Sequence, residues 1–524
     1  MFDTDPNGTS PDTRQGDALD LKVQELPLPS VFRWGTATAA YQVEGGASQD
    51  GKGQSIWDVF THLEPSRTKG ENGDVACDHY NRFSEDVDLM ALLGVDVYRF
   101  SISWARLIPL GGRNDPINEK GIAFYNNLID ALVFRGIEPV VTLYHWDLPA
   151  KLYERYEGFL NTPEFVADFE NFARLSFSRF GDRVKKWITF NEPWVICVFG
   201  HLAGNLAPGR NAETGCDPTT EPWRAGHSII LAHATAIQVY TKEFLPAQGG
   251  EISIVLNSHF YEPYDPSNEE DIAAAQRRLE FFLGWFADPI FLGKDYPACM
   301  RKQLGSRLPE FTDKEFALVK SASGPSRSFF GLNHYTTKFA RAMSGRPNEA
   351  DHTGNVEELA SDVNGREVGP LSGIHWLRVA PAGFRKLLSW IWDRYNVPII
   401  VTENGCVCPG ENNMKVEEAV MDTFRSQYTG LYLDSISWAI YEDGVSVQGY
   451  YAWSLMDNFG KFDTCVSSMS CVGSDILTSI LEWSHGYEPR FGILHVDYKT
   501  LVRTPKQSAY YLRDTFITRR KENQ

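Results

Sequence analysis

The stretches Trp187-Ile188-Thr189-Phe190-Asn191-Glu192-Pro193 and Pro398-Ile399-Ile400-Val401-Thr402-Glu403-Asn404-Gly405 share one pattern. Each is a short apolar run, rich in β-branched residues, that stops at a polar group containing glutamate. Such a run, without polar alternation, reads as a strand of a parallel sheet covered on both faces. A carboxylate at the end of a buried strand loses hydration, which only a partner or a reaction offsets. Two of them from one sheet are the parts needed for acid/base and nucleophilic work on a single bond.

The same kind of run recurs along the chain. Strands are expected at Phe32–Ala37, Val95–Ser101, Glu138–Tyr144, Lys186–Phe190, Ile252–Asn257, Phe329–Asn333, Pro398–Thr402 and Gly449–Trp453. Helical stretches lie between them. One runs from Glu119 to Phe134 with Ile122, Tyr125, Ile129 and Leu132 on one face. Another is expected to be capped by Thr162, with Pro163 at its first position and Gly181 at its end. Eight β/α units predict an α/β chain forming a single (β/α)8 TIM barrel with long βα loops, its chemistry at the C-terminal ends of the strands. Residues 28–518 are assigned to this domain and 1–27, polar and rich in Asp, Gly, Pro and Thr, to a disordered N-terminal tail.

The 524 residues carry a formal net charge of −18 with 43% hydrophobic residues. That balance disfavours nucleic acid and anionic membranes as partners. No apolar stretch approaches the ~20 residues that span a bilayer. No secretory signal is seen at the N-terminus, and the eight cysteines lack metal-type spacing, so a cytoplasmic protein is expected; no metal or organic cofactor is implied, since two carboxylates suffice for the chemistry. The oligomeric state is not specified by these patterns.

Polar and aromatic side chains stand at the strand ends. The first strand leads to Gln42, the second carries Arg99, the third ends in His145-Trp146 and the fourth in Asn191-Glu192. The sixth gives Asn333 and Tyr335, the seventh Glu403 and the eighth Trp453. A single histidine or tryptophan of this kind is more often structural. Seven matching strand ends make a different case. Amides, imidazole and carboxylates can bind vicinal hydroxyls, and indoles stack on the apolar face of a sugar ring.

The chain closely resembles glycoside hydrolase family 1, the β-glucosidases and relatives, with fungal intracellular members nearest in appearance. The matching segments include Tyr98-Arg99-Phe100-Ser101, Leu143-Tyr144-His145-Trp146-Asp147-Leu148-Pro149, Thr189-Phe190-Asn191-Glu192-Pro193, Val401-Thr402-Glu403-Asn404-Gly405 and Tyr451-Ala452-Trp453-Ser454. The resemblance implies a retaining hydrolase of small-molecule β-glucosides such as cellobiose, active in carbohydrate metabolism and cellulose degradation. It implies Glu192 as acid/base and Glu403 as nucleophile, with Arg99 and Tyr335 supporting Glu403. Retention implies carboxyl groups about 5–5.5 Å apart. The resemblance places Gln42, His145, Trp146, Asn191, Asn333, Tyr335, Trp453, Glu482 and Trp483 on the sugar and Trp376 under the aglycone. Glu482 would repel a phosphorylated sugar. Galactoside or fucoside preference and transglycosylation stay open, whereas Glu192 argues against a thioglucosidase, since those relatives usually carry glutamine there.

One departure interrupts this pattern. Family members continue Asp-Asn-Phe directly into Glu-Trp, but residues 460–481 separate Asp457-Asn458-Phe459 from Glu482-Trp483. The segment has no clear periodicity and its ends can encode splice-donor-like and acceptor-like strings. It reads as a translated intron, with a genuine loop insertion as the alternative. If translated, it is expected to impair the sugar pocket, leaving a sugar-binding protein as the alternative function.

Overall fold

The computed structural model describes residues 19, 21–63, 66–68, 70–324, 329–459 and 487–521. Eight parallel strands close into a barrel: β1 Arg33–Ala37, β2 Val97–Ser101, β3 Glu138–Tyr144, β4 Lys186–Asn191, β5 Glu251–Asn257, β6 Phe330–Asn333, β7 Ile399–Asn404 and β8 Val447–Trp453. They pair in sequence order, and β8 returns to β1 with Gly449 opposite Arg33 and Trp453 opposite Ala37. Every expected strand is present, within two residues at each end. The expected (β/α)8 barrel is therefore the observed fold.

The barrel interior is built in layers. Val97, Val140, Ile188, Val255, Phe329, Ile400 and Tyr451 form one apolar cluster inside it. Side chains alternate along a strand, so residues two positions on face the same way. Above this cluster come Arg99, Thr142, Asn257, Thr402 and Trp453. The packed apolar floor thus gives way to a polar upper layer at the C-terminal face. Beyond a shift near the start of β8, where Ile399 and Ile400 pair with Val447 and Gly449, two strands break the alternation near their C-terminal ends. On β4, Ile188 pairs with Ser253 but Asn191 with Val255, three steps against two. On β7, Val401 pairs with Leu332 and Glu403 with Asn333, two steps against one. Such bulges re-aim side chains. They fall on the two strands that lead to the glutamates.

Helices surround the sheet: α1 His79–Leu92, α2 Glu119–Phe134, α3 Thr162–Phe180, α4 Glu221–Val239, α5 Pro381–Tyr395, α6 Thr423–Tyr441 and α7 Gln507–Arg519. Helix α2 buries Ile122, Tyr125, Ile129 and Leu132, the face read from its periodicity, and Asn118 caps it through Lys120 N. Helix α3 begins one residue differently from expectation. Asn161 occupies the cap position and Thr162 is already helical. The Thr162 hydroxyl is instead engaged with Ser228 Oγ at 2.7 Å.

The tail assigned to 1–27 overlaps a stretch with defined contacts. Gln24 N and Leu26 N donate to Asp434 at 2.6 and 3.0 Å, and Leu19 N donates to Gln427 Oε1 at 2.7 Å. Leu28–Pro29 then pairs in parallel with Arg520–Lys521. From Leu21 onward this segment lies against α6, held by the Asp434 carboxylate and by Ser437 Oγ and Arg519 Nε, which donate to Pro27 O and Leu26 O at 2.6 Å each. Residues 1–18 and 20 lie outside the described residues, as does the stretch 460–481.

The chain on either side of that stretch is fixed by buried charges. Lys506 Nζ donates to Glu411 Oε1 at 2.5 Å and Asp457 Oδ1 at 2.8 Å. Arg425 bonds Glu411 Oε2 at 2.6 Å, and Arg490 bonds Asp457 Oδ2 at 2.8 Å. Burial pushes the Asp457 carboxyl up, but Lys506 and Arg490 more than offset this and hold it below the usual range. Phe459 and Tyr487 meet edge to face with centroids 5.4 Å apart. Among the described residues no helix is long and apolar enough to cross a membrane. Removing Lys506 takes a buried cation from two buried carboxylates at once, leaving Glu411 to Arg425 and Asp457 to Arg490. Lys506→Met is expected to lower stability by about 3–5 kcal/mol, measured by chemical denaturation; a loss below about 1 kcal/mol would show that the cluster behaves as a solvated surface pair.

Candidate active site

At the C-terminal mouth of the barrel is a pocket of about 430 Å³ lined by His145, Trp146, Asn191, Glu192, Leu206, Tyr335, Trp376, Glu403, Trp453 and Phe491. Both glutamates face it although each is almost wholly buried, Glu192 at 4% and Glu403 at 3% exposure. Glu192 follows β4 in a left-handed conformation (φ 50°, ψ 63°), immediately before the short helix Pro193–Val198. A non-glycine residue adopts that conformation only when its surroundings enforce it. Here the end of β4 and the Glu192 N–H bond to Val255 O at 2.9 Å do so, against the extended conformation that a following proline favours.

Arg99 organises the floor of the site. It is fully buried on β2. Its guanidinium donates to Glu403 Oε1 at 2.5 Å, Asn191 Oδ1 at 2.7 Å, Thr142 Oγ1 at 3.2 Å and the Thr402 carbonyl at 3.3 Å. Guanidinium has donors only, so each of these four partners must accept. Asn191 must turn its oxygen to Arg99, so its Nδ2 faces His145 Nε2 at 3.0 Å. That ring nitrogen accepts, and the imidazole carries its proton on Nδ1. Burial, reinforced by Arg99, drives the His145 pKa well below its ordinary value. Asn333 in turn gives its Nδ2 to Asn191 Oδ1 at 3.1 Å and to Glu192 Oε1 at 2.7 Å. Its Oδ1 accepts from Thr402 Oγ1 at 2.7 Å.

The two glutamates are therefore treated differently. Glu403 receives Arg99 on one oxygen and the Tyr335 hydroxyl on the other at 2.8 Å. Burial lifts its carboxyl above the ordinary glutamate range, while Arg99, Tyr335 and Asn333 draw it back. Glu192 receives the neutral Asn333 amide. One carboxyl has a cation bonded to it and the other a neutral amide.

Aromatic rings complete the walls. His145 stacks near Trp453 with centroids 5.9 Å apart, and Trp146 Nε1 donates to the Asn191 carbonyl at 2.9 Å. Tyr335 meets Trp376 and Phe491 edge-on, each at 6.0 Å. Leu206 and Phe491 also line the pocket, although nothing in the sequence marks them. They come from loops with no strand-end signal. Asn333, expected on the substrate, is fully buried beneath the pocket and commits its amide to protein groups. Gln42 is also fully buried, and its Nε2 donates to Asn458 Oδ1 at 3.2 Å and Phe459 O at 2.9 Å. Glu482 and Trp483 lie outside the described residues. Among the described residues no group of three or more His, Cys, Asp or Glu is arranged to hold a metal ion.

Residues 24–468 and 473–522 match the family model described as glycosyl hydrolase family 1, so the match breaks only within the stretch 460–481. The chain belongs to glycosyl hydrolase family 1. Among similar proteins, beta-glucosidase 1B of Phanerodontia chrysosporium is 48% identical over 493 residues, covering 93% of this chain and 85% of the other. The crystal structure of a family 1 beta-glucosidase from the fungus Humicola insolens in complex with glucose superposes with a TM-score of 0.87. It is 47% identical and covers 94% of this chain and 99% of that one. The beta-glucosidase of Trichoderma harzianum gives a TM-score of 0.86 at 46% identity, covering 94% and 98%. This family 1 glycosidase should keep His145 neutral with its proton on Nδ1 at neutral pH, because burial and Arg99 disfavour the imidazolium. Nitrogen-15 NMR of the ring would show this, and an imidazolium signal at neutral pH would contradict the bonding described.

Proposed function

We propose that this family 1 enzyme hydrolyses terminal non-reducing β-D-glucosyl residues of small glucosides with retention, through a covalent glycosyl-enzyme. The observation that carries the reading is the unequal pairing of the two carboxyls in one pocket. Arg99 favours the charged form of Glu403, as a nucleophile requires. The Asn333 amide on Glu192 carries no charge, so it favours the Glu192 anion less than a bonded cation would, and the carboxyl can hold the proton that the leaving oxygen needs.

In the first step Glu403 attacks the anomeric carbon while Glu192 protonates the glycosidic oxygen, and the aglycone departs. The ester then removes the negative charge at Glu403. Glu192, now ionised, takes a proton from water, which attacks the anomeric carbon and releases glucose with its configuration retained. His145, Trp146, Gln42 and Trp453 are assigned to the glycone. Trp376 is assigned to the aglycone. The second Nδ2 hydrogen of Asn191 can be offered to the sugar 2-hydroxyl. An intracellular location is our reading from the sequence, and the free thiols at all six described cysteines fit a reducing compartment.

Proton NMR of the first-formed sugar should show the β-anomer. Glu403→Gln should lower kcat by at least about a thousandfold. Glu192→Gln should spare a dinitrophenyl glucoside in its first step, lose about 10²–10⁴-fold on a poor leaving group, and form β-glucosyl azide when azide is added. An α-anomer product, or wild-type activity in either variant, would refute the assignment. Tyr335→Phe removes a donor from the Glu403 anion, so the carboxyl becomes harder to ionise. The acid limb of kcat/KM should move to higher pH.

A further inference from the structure

We propose that Thr402 is a positioning residue for Glu192: its hydroxyl, held on Asn333 Oδ1, keeps the Asn333 N–H group on the Glu192 carboxyl. The inference rests on Glu192 being the proton donor, and it concerns a residue with no expected role beyond its place before Glu403.

An asparagine amide can present either end to a neighbour, and the two ends have opposite effects on a carboxyl. An N–H group favours the anion, whereas a carbonyl oxygen favours the acid. Asn333 presents N–H, because Thr402 Oγ1 donates to its oxygen at 2.7 Å and Asn191 Oδ1 accepts from its nitrogen at 3.1 Å. Asn191 is itself oriented by Arg99, so the amide is held at both ends. Asn333, Thr402 and Asn191 are each buried to within 1%. Without the Thr402 hydroxyl, Asn333 Oδ1 would be a buried acceptor lacking its donor, which is unfavourable enough to turn or shift the amide. The N–H bond to Glu192 at 2.7 Å would then weaken.

Thr402 reaches Asn333 because of where the strands place it. It stands two residues beyond Ile400 of the apolar floor, on the same inward face of β7. Asn333 ends β6, the neighbouring strand. The β7 bulge allows Thr402 and Glu403, adjacent in sequence, to serve the same site. Thr402 therefore acts on the proton donor while the next residue is the nucleophile, and one strand end adjusts both carboxyls.

The test is the pH dependence of kcat/KM on an aryl β-glucoside for the wild type, Thr402→Val and Thr402→Ser. The alkaline limb reports loss of the proton that must be donated. Valine keeps the shape but removes the donor. Its alkaline limb should move up by about 0.5–1 pH unit, and the acid limb, where Asn333 is only the smallest of the groups drawing Glu403 down, should move less. Serine restores the hydroxyl and should restore the wild-type limb. A valine variant with both wild-type limbs, or a serine variant displaced as far as valine, would overturn the proposal. If the valine variant does not fold, Thr402→Ala takes its place and the same displacement is required. Glu192→Gln measured alongside separates two failures. If it keeps wild-type activity on a poor leaving group, the reading of Glu192 falls. If it loses that activity while the limbs of Thr402→Val stay unmoved, only the role of Thr402 falls.

Discussion

The site depends on a buried guanidinium that can only donate. Arg99 sits above an apolar floor, where an uncompensated charge would be strongly disfavoured. Its partners are therefore obligatory: a carboxylate, an amide oxygen, a hydroxyl and a main-chain carbonyl. Because none of its hydrogens can be exchanged for a lone pair, every neighbour must turn an acceptor toward it. That requirement passes from Asn191 to His145 on one side and to Asn333 on the other. Side chains that could individually adopt two orientations are left with one.

The closed barrel makes this possible. Arg99 comes from β2, Asn191 from β4, Asn333 from β6 and Glu403 from β7, residues far apart in sequence. Closure brings these strand ends round one axis, and the apolar floor beneath excludes the water that would otherwise compete for their hydrogen bonds. The bulges on β4 and β7 give up regular pairing where Asn191 and Glu403 need to point inward. Outside the barrel, the Lys506 cluster secures the chain after β8, and Asp434 secures the segment that leads into β1.

The eight strands are legible in the sequence because a strand buried on both faces has an unmistakable composition. The strand ends are legible because polar residues placed there have no other ready explanation. Geometry, rather than chemistry, is what composition does not carry. Bulges leave no compositional mark, since an extra residue looks like one more β-branched position, as Thr402 does. Asn333 stands out by its place, yet its place alone assigns it to the sugar. Sequence shows that a polar group stands at a strand end, not whether its hydrogens point into the pocket or into the wall. Leu206 and Phe491 arrive on loops whose paths follow no period. The docked residues before β1 look polar enough to be unstructured, because the main chain rather than the side chains makes their bonds to Asp434.

The same donor-only root has a consequence for proton traffic. A relay needs groups that can accept a proton on one side and release another on the opposite side. Arg99 does not deprotonate, and the amides of Asn191 and Asn333 pass no proton between their ends. The hydrogen bonds beneath the pocket hold atoms in place but conduct nothing through those residues. Along that route the two carboxyls are insulated from the protein interior, and protons must come and go through the open side of the pocket, carried by substrate, leaving group or water.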